Sequence, residues 1–358
     1  MAARGLLIET REDVTPRRGR PRIRLEINAG GAIVLGVSLT GGSRLNATFV
    51  DLAGGRLFET DVALPYPESV TGFAHDLAAA LETIIAASAF ATASIARVAI
   101  AVPAIIDAVS GTVLVMWTLP SGPVPFARIV ADRLGLPVTI ENDLTCMARA
   151  EHWFGRAQDL DTFSLIHFDL SIGSATFRDG LPADGIHSEF GHSKTDAGPA
   201  APTCYCGTRG CLAAVASMYG MARDWEDIGD EPREVIPRIA PTIANLLDHV
   251  DAGDARAKAL VIRAATHLGA AIAGRINADD PQAMLVIIPD RRLHDALESP
   301  VRQAIDAHAL PPLLRRTTII FADSLPDWRQ KGAAALALEK LFLDEHVSLA
   351  PPPAVPPH

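Results

Sequence analysis

The sequence has no long apolar run, and this absence excludes a conventional membrane-spanning helix. No stretch of its 358 residues reaches the roughly 18 uninterrupted apolar residues that a span requires. The first residues, MAARGLLIETRED, also lack the long apolar core and small-residue cleavage site of a secretory signal. At about 150 residues per domain, the length predicts two lobes. We therefore expect a cytoplasmic, two-lobed globular protein with no membrane partner.

Positive charge is also scarce. The net charge of −10 argues against a broad nucleic-acid-binding surface, because phosphate binding needs clustered cations. Residues 1–28 are the exception: seven arginines against four acids give this segment +3 and leave −13 for the remainder. On charge alone, such a basic arm is more often a solvated extension than a nucleic-acid contact.

Cysteine is rare, yet three of the four cysteines fall within eight residues. Eleven residues separate His192 from Cys204, and Cys206 and Cys211 complete a C-x-C-x4-C spacing. In a reducing cytoplasm this crowding favours a metal over disulfides. Four such donors suit tetrahedral zinc, and with no open coordination position the ion would be structural. The alternative is three reduced thiols in a loop beside a core histidine.

Two glycines within the cysteine cluster, Gly207 and Gly210, would let the chain wrap tightly around an ion. The metal would then fix a loop that presents Glu189 and His192, with one ring nitrogen of the histidine on the metal and the other on a ligand. The fourth cysteine, Cys146, lies in an apolar helical pattern and is expected to be buried and inert.

The pattern of apolar residues predicts an α/β protein. Asn142 and Asp143 are expected where a strand gives way to a helix, a place where ligand groups concentrate. From position alone, helix capping explains these two residues equally well.

The predicted strands are a hairpin in 31–51 and runs at 97–107, 137–140, 163–168, 175–177, 283–288 and 317–321. The predicted helices are 74–91, 125–134, 144–154, 213–223, 235–250, 254–277 and 332–343, and a disordered proline-rich tail covers 350–358.

Three motifs resemble those of the ROK family (repressor, open reading frame, kinase), and the resemblance runs from about residue 19 to 343. Glu189-Phe190-Gly191-His192 resembles the family's E-x-G-H, the cysteine cluster resembles its C-x-C-G-x-x-G-C, and Glu141-Asn142-Asp143 resembles its third motif. The resemblance implies a two-lobed, actin-like ATPase (ribonuclease H-like) fold with structural zinc, and a homodimer. It also implies that Asn142, Asp143, Glu189 and His192 bind a sugar, with Asp143 as general base in a kinase.

On this basis we divide the chain into four parts. Residues 1–30 are a basic arm, a remnant of a winged-helix linker. Residues 31–141 with the helix at 330–346 form the N-terminal lobe, residues 142–329 form the C-terminal lobe with the zinc loop, and residues 347–358 are the tail.

The departures from the kinase motifs concern the nucleotide side. Where family kinases carry D-x-G-G-T, with the Asp that positions magnesium, this chain has Ser38-Leu39-Thr40-Gly41-Gly42. The phosphate turn G-T-G-I-G reads Asp169-Leu170-Ser171-Ile172-Gly173, and its carboxylate would repel phosphate. A glycine pair expected after the strand at 283–288 is Pro289-Asp290. These departures argue against ATP and Mg²⁺ as cofactors.

Two sugar-side positions also depart from the family: Ala213 replaces the usual Glu, and Pro103-Ala104 the usual P-G.

Arg18-Gly19-Arg20-Pro21 resembles the stretch that links the winged helix-turn-helix of family repressors to the first strand. Only about twenty residues precede it, and a three-helix DNA-binding unit is several times longer. Either the coding region begins upstream of Met1 or a remnant remains, so DNA would be a partner only with a longer N-terminus.

These observations favour a ROK transcriptional regulator whose domain senses a sugar or sugar phosphate through a degenerate ATP site. The alternative is an ATP-dependent hexose or N-acetylhexosamine kinase that uses Asp143 as base. A third interpretation is an interaction protein that keeps zinc only to fold.

Overall fold

The chain folds into two compact units, Met1–Trp153 with Asp327–His358, and Phe154–Pro326. The computed structural model describes residues 5–11, 23–40, 43–116, 119, 122–183, 189–226, 232–323 and 327–343. The Arg18 to Pro21 stretch, the glycines at 41 and 42 and the proline-rich tail lie outside these residues.

The described residues form both strands and helices, as expected for an α/β protein. The strands are β1 (Leu7–Arg11), β2 (Ile23–Ile27), β3 (Ile33–Thr40), β4 (Arg44–Asp51), β5 (Arg56–Ala63), β6 (Ile95–Val102), β7 (Ile105–Asp107), β8 (Thr112–Val115), β9 (Val138–Asn142), β10 (Phe163–Phe168), β11 (Ile172–Arg178), β12 (Leu181–Pro182), β13 (Ala283–Ile287) and β14 (Thr318–Ala322). The helices are α1 (Val70–Ala87), α2 (Phe126–Leu134), α3 (Asp143–Phe154), α4 (Leu212–Ala216), α5 (Met218–Glu226), α6 (Pro232–Asp251), α7 (Ala255–Asp279), α8 (Arg291–His308), α9 (Pro311–Leu314) and α10 (Trp328–Leu343).

The first unit contains a five-stranded mixed sheet in the order β5-β4-β3-β6-β9. Strands β3, β4 and β5 pair antiparallel, whereas β6 and β9 continue the sheet in parallel. Strand β3 is buried on both faces: Leu35 belongs to the apolar cluster that includes α1 and α2, and Val34 to the cluster that includes α10. Gly36 is required there, because a Cβ would lie 2.3 Å from the carbonyl oxygen of Gln330 in α10.

The N-terminal arm forms a two-stranded antiparallel ribbon, β1 with β2. The described side chains of this ribbon are mostly exposed, among them Ile8, Leu25 and Ile27, so the arm has regular structure and yet faces solvent. Leu6 is fully buried in the cluster under α10, and the backbone N–H of Asn28 donates to its carbonyl oxygen at 2.9 Å. This apolar anchor fixes the start of the ribbon to the first unit.

The second unit contains a five-stranded sheet in the order β12-β11-β10-β13-β14. Strands β10, β13 and β14 are parallel, and β11 returns antiparallel to β10. Helices α7 and α8 pack against each other and contribute Leu268, Ile272 and Leu297 to a core shared with β10 and β13.

Among the described residues, α1 and α7 reach the length and hydropathy of a membrane span. Each is half-buried, and Leu77 of α1 and Leu268 of α7 are fully buried in the core of their own unit. This burial is typical of core helices in a globular fold.

The structure confirms the α/β pattern and adds elements that the sequence did not reveal. Strand β5 and helix α8 have no counterpart among the predicted elements, and the strand predicted at 97–107 is two strands, β6 and β7. The chain passes between the units after Trp153, whereas the predicted lobe boundary lies at 142. As a result, α3 and its first residue Asp143 belong to the first unit.

Candidate functional site

The histidine and the three clustered cysteines of the second unit meet at one point. His192 ends a short 3-10 turn at Phe190–His192, and the cysteines lie in the loop that leads into α4. One ligand atom from each of the four residues lies within 4.8 Å of all the others. The four predicted metal ligands are thus brought together, in a cluster that can hold a metal ion.

Two of the six distances between the donor atoms match those of a tetrahedral zinc site. With Zn–S bonds of about 2.3 Å and a Zn–N bond of about 2.0 Å, a tetrahedron places two sulfurs about 3.8 Å apart and a sulfur and a nitrogen about 3.5 Å apart. The Sγ atoms of Cys206 and Cys211 are 3.7 Å apart. Cys204 Sγ lies 3.5 Å from Nδ1 of His192. Bound zinc would hold this loop in place without an open coordination position.

The protonation of the cluster sets the pH dependence of metal binding. Burial and the nearby Lys194 ammonium lower the pKa of His192, which keeps its imidazole neutral and able to bind a metal. Burial raises the pKa of Cys204 to about 12. Burial also opposes ionisation of Cys206, but hydrogen bonds with Thr208, Cys204 and Cys211 together outweigh it and lower the pKa of that thiol. Since the thiolate is the ligand, metal binding would release protons.

Two polar side chains that the sequence analysis missed surround the sulfurs. The Nζ of Lys194 lies 3.2 Å from Cys211 Sγ and donates to the carbonyl oxygen of Arg209 at 2.7 Å. The hydroxyl of Thr208 lies 3.1 Å from Cys206 Sγ and 3.2 Å from Cys211 Sγ. Three thiolates around a divalent ion carry one excess negative charge, and the lysine ammonium balances it. The position of Lys194, two residues after His192, was the only signal in the sequence.

The second ring nitrogen of His192, which the sequence analysis assigned to a ligand, points toward the carboxylate of Glu189. Its Nε2 lies 3.5 Å from Oε2 of Glu189. The side chain of Glu189 is 34% exposed and that of His192 14%, so the carboxylate is the more accessible group. A carboxylate on the outer nitrogen orients a metal-binding imidazole. Glu189 can therefore orient the histidine while its carboxylate also contacts solvent or a ligand.

Asn142 and Asp143 lie in the first unit, at the junction of β9 and α3. The side-chain oxygen of Asn142 accepts hydrogen bonds from the backbone N–H groups of Leu144 (2.9 Å) and Thr145 (3.2 Å), so this residue caps α3. The carboxylate of Asp143 accepts a hydrogen bond from Nε of Arg329 at 3.0 Å. Capping, the alternative that the sequence left open, is thus a role of Asn142. Arg329, 186 residues away, had no signal in the sequence.

The three positions that depart from the kinase motifs each make a structural contact. The hydroxyl of Ser38 is buried and donates to Oε1 of Gln330 at 2.9 Å. The hydroxyl of Ser171 lies 2.5 Å from the hydroxyl of Tyr205. The carboxylate of Asp290 accepts from the backbone N–H of Leu293 at 2.9 Å and caps α8.

Two further predicted features have clear positions. Cys146 is fully buried, as predicted, and burial raises the pKa of its thiol well above the ordinary value, which disfavours the reactive thiolate. Ala213, at the position where the family has Glu, is fully buried in α4.

Comparisons with known proteins agree on one family. The ROK family model matches residues 34–340. The sequence is 24% identical over 347 residues to the DNA-binding transcriptional dual regulator NagC of Escherichia coli K12, covering 95% of this chain and 83% of that protein. It is 28% identical over 227 residues to a glucokinase of Thermotoga maritima, covering 61% and 71%. A crystal structure of a ROK family transcriptional regulator, a homologue of the Escherichia coli Mlc protein, is 26% identical with a TM-score of 0.76, covering 95% and 86%.

Proposed function

The chain belongs to the ROK family, and from this premise we propose that it is the sugar-sensing body of a transcriptional regulator that has lost phosphoryl transfer. Relatives of both kinds exist, since NagC is a regulator and the Thermotoga maritima protein is a glucokinase. The choice between them therefore depends on the residues of this chain. We further propose a cytoplasmic homodimer with the family's two-lobed, actin-like ATPase fold.

The regulator is supported by the contacts of the side chains that stand where family kinases bind the nucleotide. A kinase stabilises the transferring phosphoryl group with a metal-bound carboxylate and with backbone N–H groups of glycine-rich turns. Here Ser38 supplies no carboxylate, and its hydroxyl donates to Gln330. Ser171 contacts Tyr205, and Asp290 caps a helix. All three side chains make hydrogen bonds within the protein.

The geometry of the turn at Asp169 also opposes nucleotide binding. The backbone N–H of Asp169 donates to the carbonyl oxygen of Ser171 at 2.8 Å, so this amide is occupied within the turn. The carboxylate of the same residue adds negative charge where a phosphate would have to approach. The occupied backbone N–H and the carboxylate of Asp169 both disfavour the binding of ATP at this turn.

For the effector we propose a sugar or sugar phosphate bound by Asn142, Asp143, Glu189 and His192. Paired hydrogen bonds from amide, carboxylate and imidazole groups suit vicinal hydroxyls. The carboxylate of Asp143, held by Nε of Arg329, can accept a hydrogen bond from a sugar hydroxyl. Zinc at His192 and the three cysteines would keep Glu189 and His192 in position, as a structural ion.

Titration calorimetry of the zinc-loaded protein tests this proposal. The panel contains hexoses, N-acetylhexosamines and their 6-phosphates, and we expect binding by at least one of them. Asp143→Asn should weaken that binding at least tenfold, because a hydrogen bond to a charged group contributes about 1.5–3 kcal/mol. The matched control is Asp76→Asn, an exposed position of α1 in the same unit.

The kinase alternative is tested with the same panel in an assay of ADP release. We expect no turnover above background with Mg²⁺ and ATP. Turnover that Asp143→Asn abolishes and Asp76→Asn retains would make the chain a sugar kinase and overturn the regulator. A protein that neither binds nor phosphorylates any sugar would refute both, and would leave the zinc cluster with a folding role alone.

A further inference from the structure

One hydrogen bond joins the metal-binding loop to the turn between β10 and β11. Tyr205 lies between the ligands Cys204 and Cys206, and its hydroxyl oxygen is 2.5 Å from that of Ser171. We propose that this Tyr205–Ser171 contact couples the metal site to the turn Asp169–Ser171, so that metal occupancy sets the order of the turn and of the segment that carries Glu189.

On the loop side, the position of Tyr205 depends on the metal ligands. Its ring packs edge-on against His192, with ring centroids 5.2 Å apart, and against Tyr219, with centroids 6.2 Å apart. Both of its chain neighbours are metal ligands. A tyrosine side chain has two rotatable angles, so the direction of its hydroxyl follows the backbone of the loop. With a metal bound to Cys204 and Cys206, that backbone has little freedom.

On the turn side, the contact reaches a segment that supports a helix. The first backbone N–H groups of α5, those of Met218 and Tyr219, donate to the carbonyl oxygens of Asp169 (3.1 Å) and Leu170 (3.3 Å). These helix-start groups have no partner within the helix itself. Because Tyr219 also packs on Tyr205, the loop, the turn and α5 form a closed set of contacts.

The turn also touches the segment of Glu189 and His192. A Cβ at Gly191 would lie 2.1 Å from the carbonyl oxygen of Ile172, the first residue of β11. Only glycine allows this approach, so the backbone at 190–192 packs directly on the end of the turn. Displacement of the turn would therefore move the residues next to Glu189. A series of contacts through Tyr205, Ser171, Ile172 and Gly191 thus connects the metal site to Glu189.

The contact between two hydroxyls is specific to these side chains. A glycine or alanine at position 171 has no hydroxyl, and a phenylalanine at 205 keeps the ring packing without the hydrogen bond. This difference makes the coupling measurable with variants that leave all four metal ligands in place. The effect on effector affinity rests on the proposed function, whereas the coupling between metal and turn does not.

The experiment is a double-mutant cycle read by amide hydrogen exchange in the zinc-loaded protein. The variants are Tyr205→Phe, Ser171→Ala and the double variant, with Ser299→Ala as control, an exposed position of α8 in the same unit. A hydrogen bond of ordinary strength predicts about 2- to 12-fold faster exchange in peptides that cover 169–173 for each single variant. The double variant should exchange no faster than the single ones, and the control should match the wild type.

Metal removal supplies the second arm. Chelation should accelerate exchange at 169–173 and at 189–192 in the wild type, and the metal-free Tyr205→Phe variant should match the metal-free wild type. Additive effects in the double variant, or an unchanged turn in the single variants, would overturn the coupling. If chelation unfolds the whole second unit, the metal acts on the entire unit and not through this one contact, and the proposed coupling is overturned.

Calorimetry separates this inference from the proposed function. If a sugar binds, Tyr205→Phe should weaken it by a factor similar to the exchange effect. If no sugar binds but the cycle is non-additive, the proposed function fails and the coupling stands. If a sugar binds and the cycle is additive, the coupling fails and the proposed function stands.

Discussion

Replacement of Lys194 by methionine should weaken zinc binding about fivefold. The Nζ of this lysine lies 3.2 Å from Cys211 Sγ. At that distance, Coulomb's law gives about 5 kcal/mol for two unit charges at an effective dielectric constant of about 20, and about 1.3 kcal/mol at about 80. Lys194 is exposed, so the lower value applies, and the ordering of a long side chain reduces it to about 1 kcal/mol.

The assay is competition for zinc against a chromophoric chelator at constant pH and salt. Lys194→Arg keeps the charge and should stay within about twofold of the wild type. Lys258→Met, at an exposed position of α7, controls for the loss of one positive charge from the second unit. Cobalt substitution should give the same tetrahedral thiolate spectrum in every variant. Zinc affinity of Lys194→Met within twofold of the wild type would refute the charge-balance argument.

Four further outcomes follow from the described contacts. Cys206→Ser should abolish stoichiometric zinc in metal analysis, whereas Cys146→Ser should retain it, because that thiol belongs to the first unit and is not one of the four clustered donors. Zinc affinity, measured with the same chelator, should rise from pH 6 to pH 9: metal binding displaces protons from the thiols, and the lowered pKa of His192 favours its neutral imidazole. Asn142→Ala should lower stability to chemical denaturation by about 1 kcal/mol through the lost cap, and Asn142→Asp should retain most of it. Gly332→Ala should destabilise the fold severely, with a large fall in Tm, because a Cβ there would lie 1.7 Å from the carbonyl oxygen of Cys146.

The parts of the fold that the sequence predicts are those with local signals. The hairpin of β3 and β4 has two β-branched runs around a glycine turn, and the long helices have strong apolar periodicity. The metal cluster also shows in the sequence, because three of its ligands lie within eight residues and glycines relieve the tight turns.

The missed elements have weak or misleading local signals. Strand β5 is an edge strand whose residues are mostly exposed, so its apolar alternation is faint. Helix α8 contains Pro300 and mostly polar residues, a composition that predicts irregular structure. Strands β1 and β2 of the ribbon are separated by eleven residues, and the arginines interrupt the alternation of apolar and polar residues that predicts a strand.

The sequence also shows that nucleotide residues are missing, but it cannot show what replaced them. Ser38 and Gln330 are 292 residues apart, and Ser171 and Tyr205 are 34 apart. No spacing rule connects such pairs, because their contacts depend on how the strands and helices pack. A position that merely lost phosphate binding would carry side chains without partners. These positions have hydrogen-bond partners inside the fold, so an aspartate at position 38 would remove the buried hydrogen bond from Ser38 to Gln330.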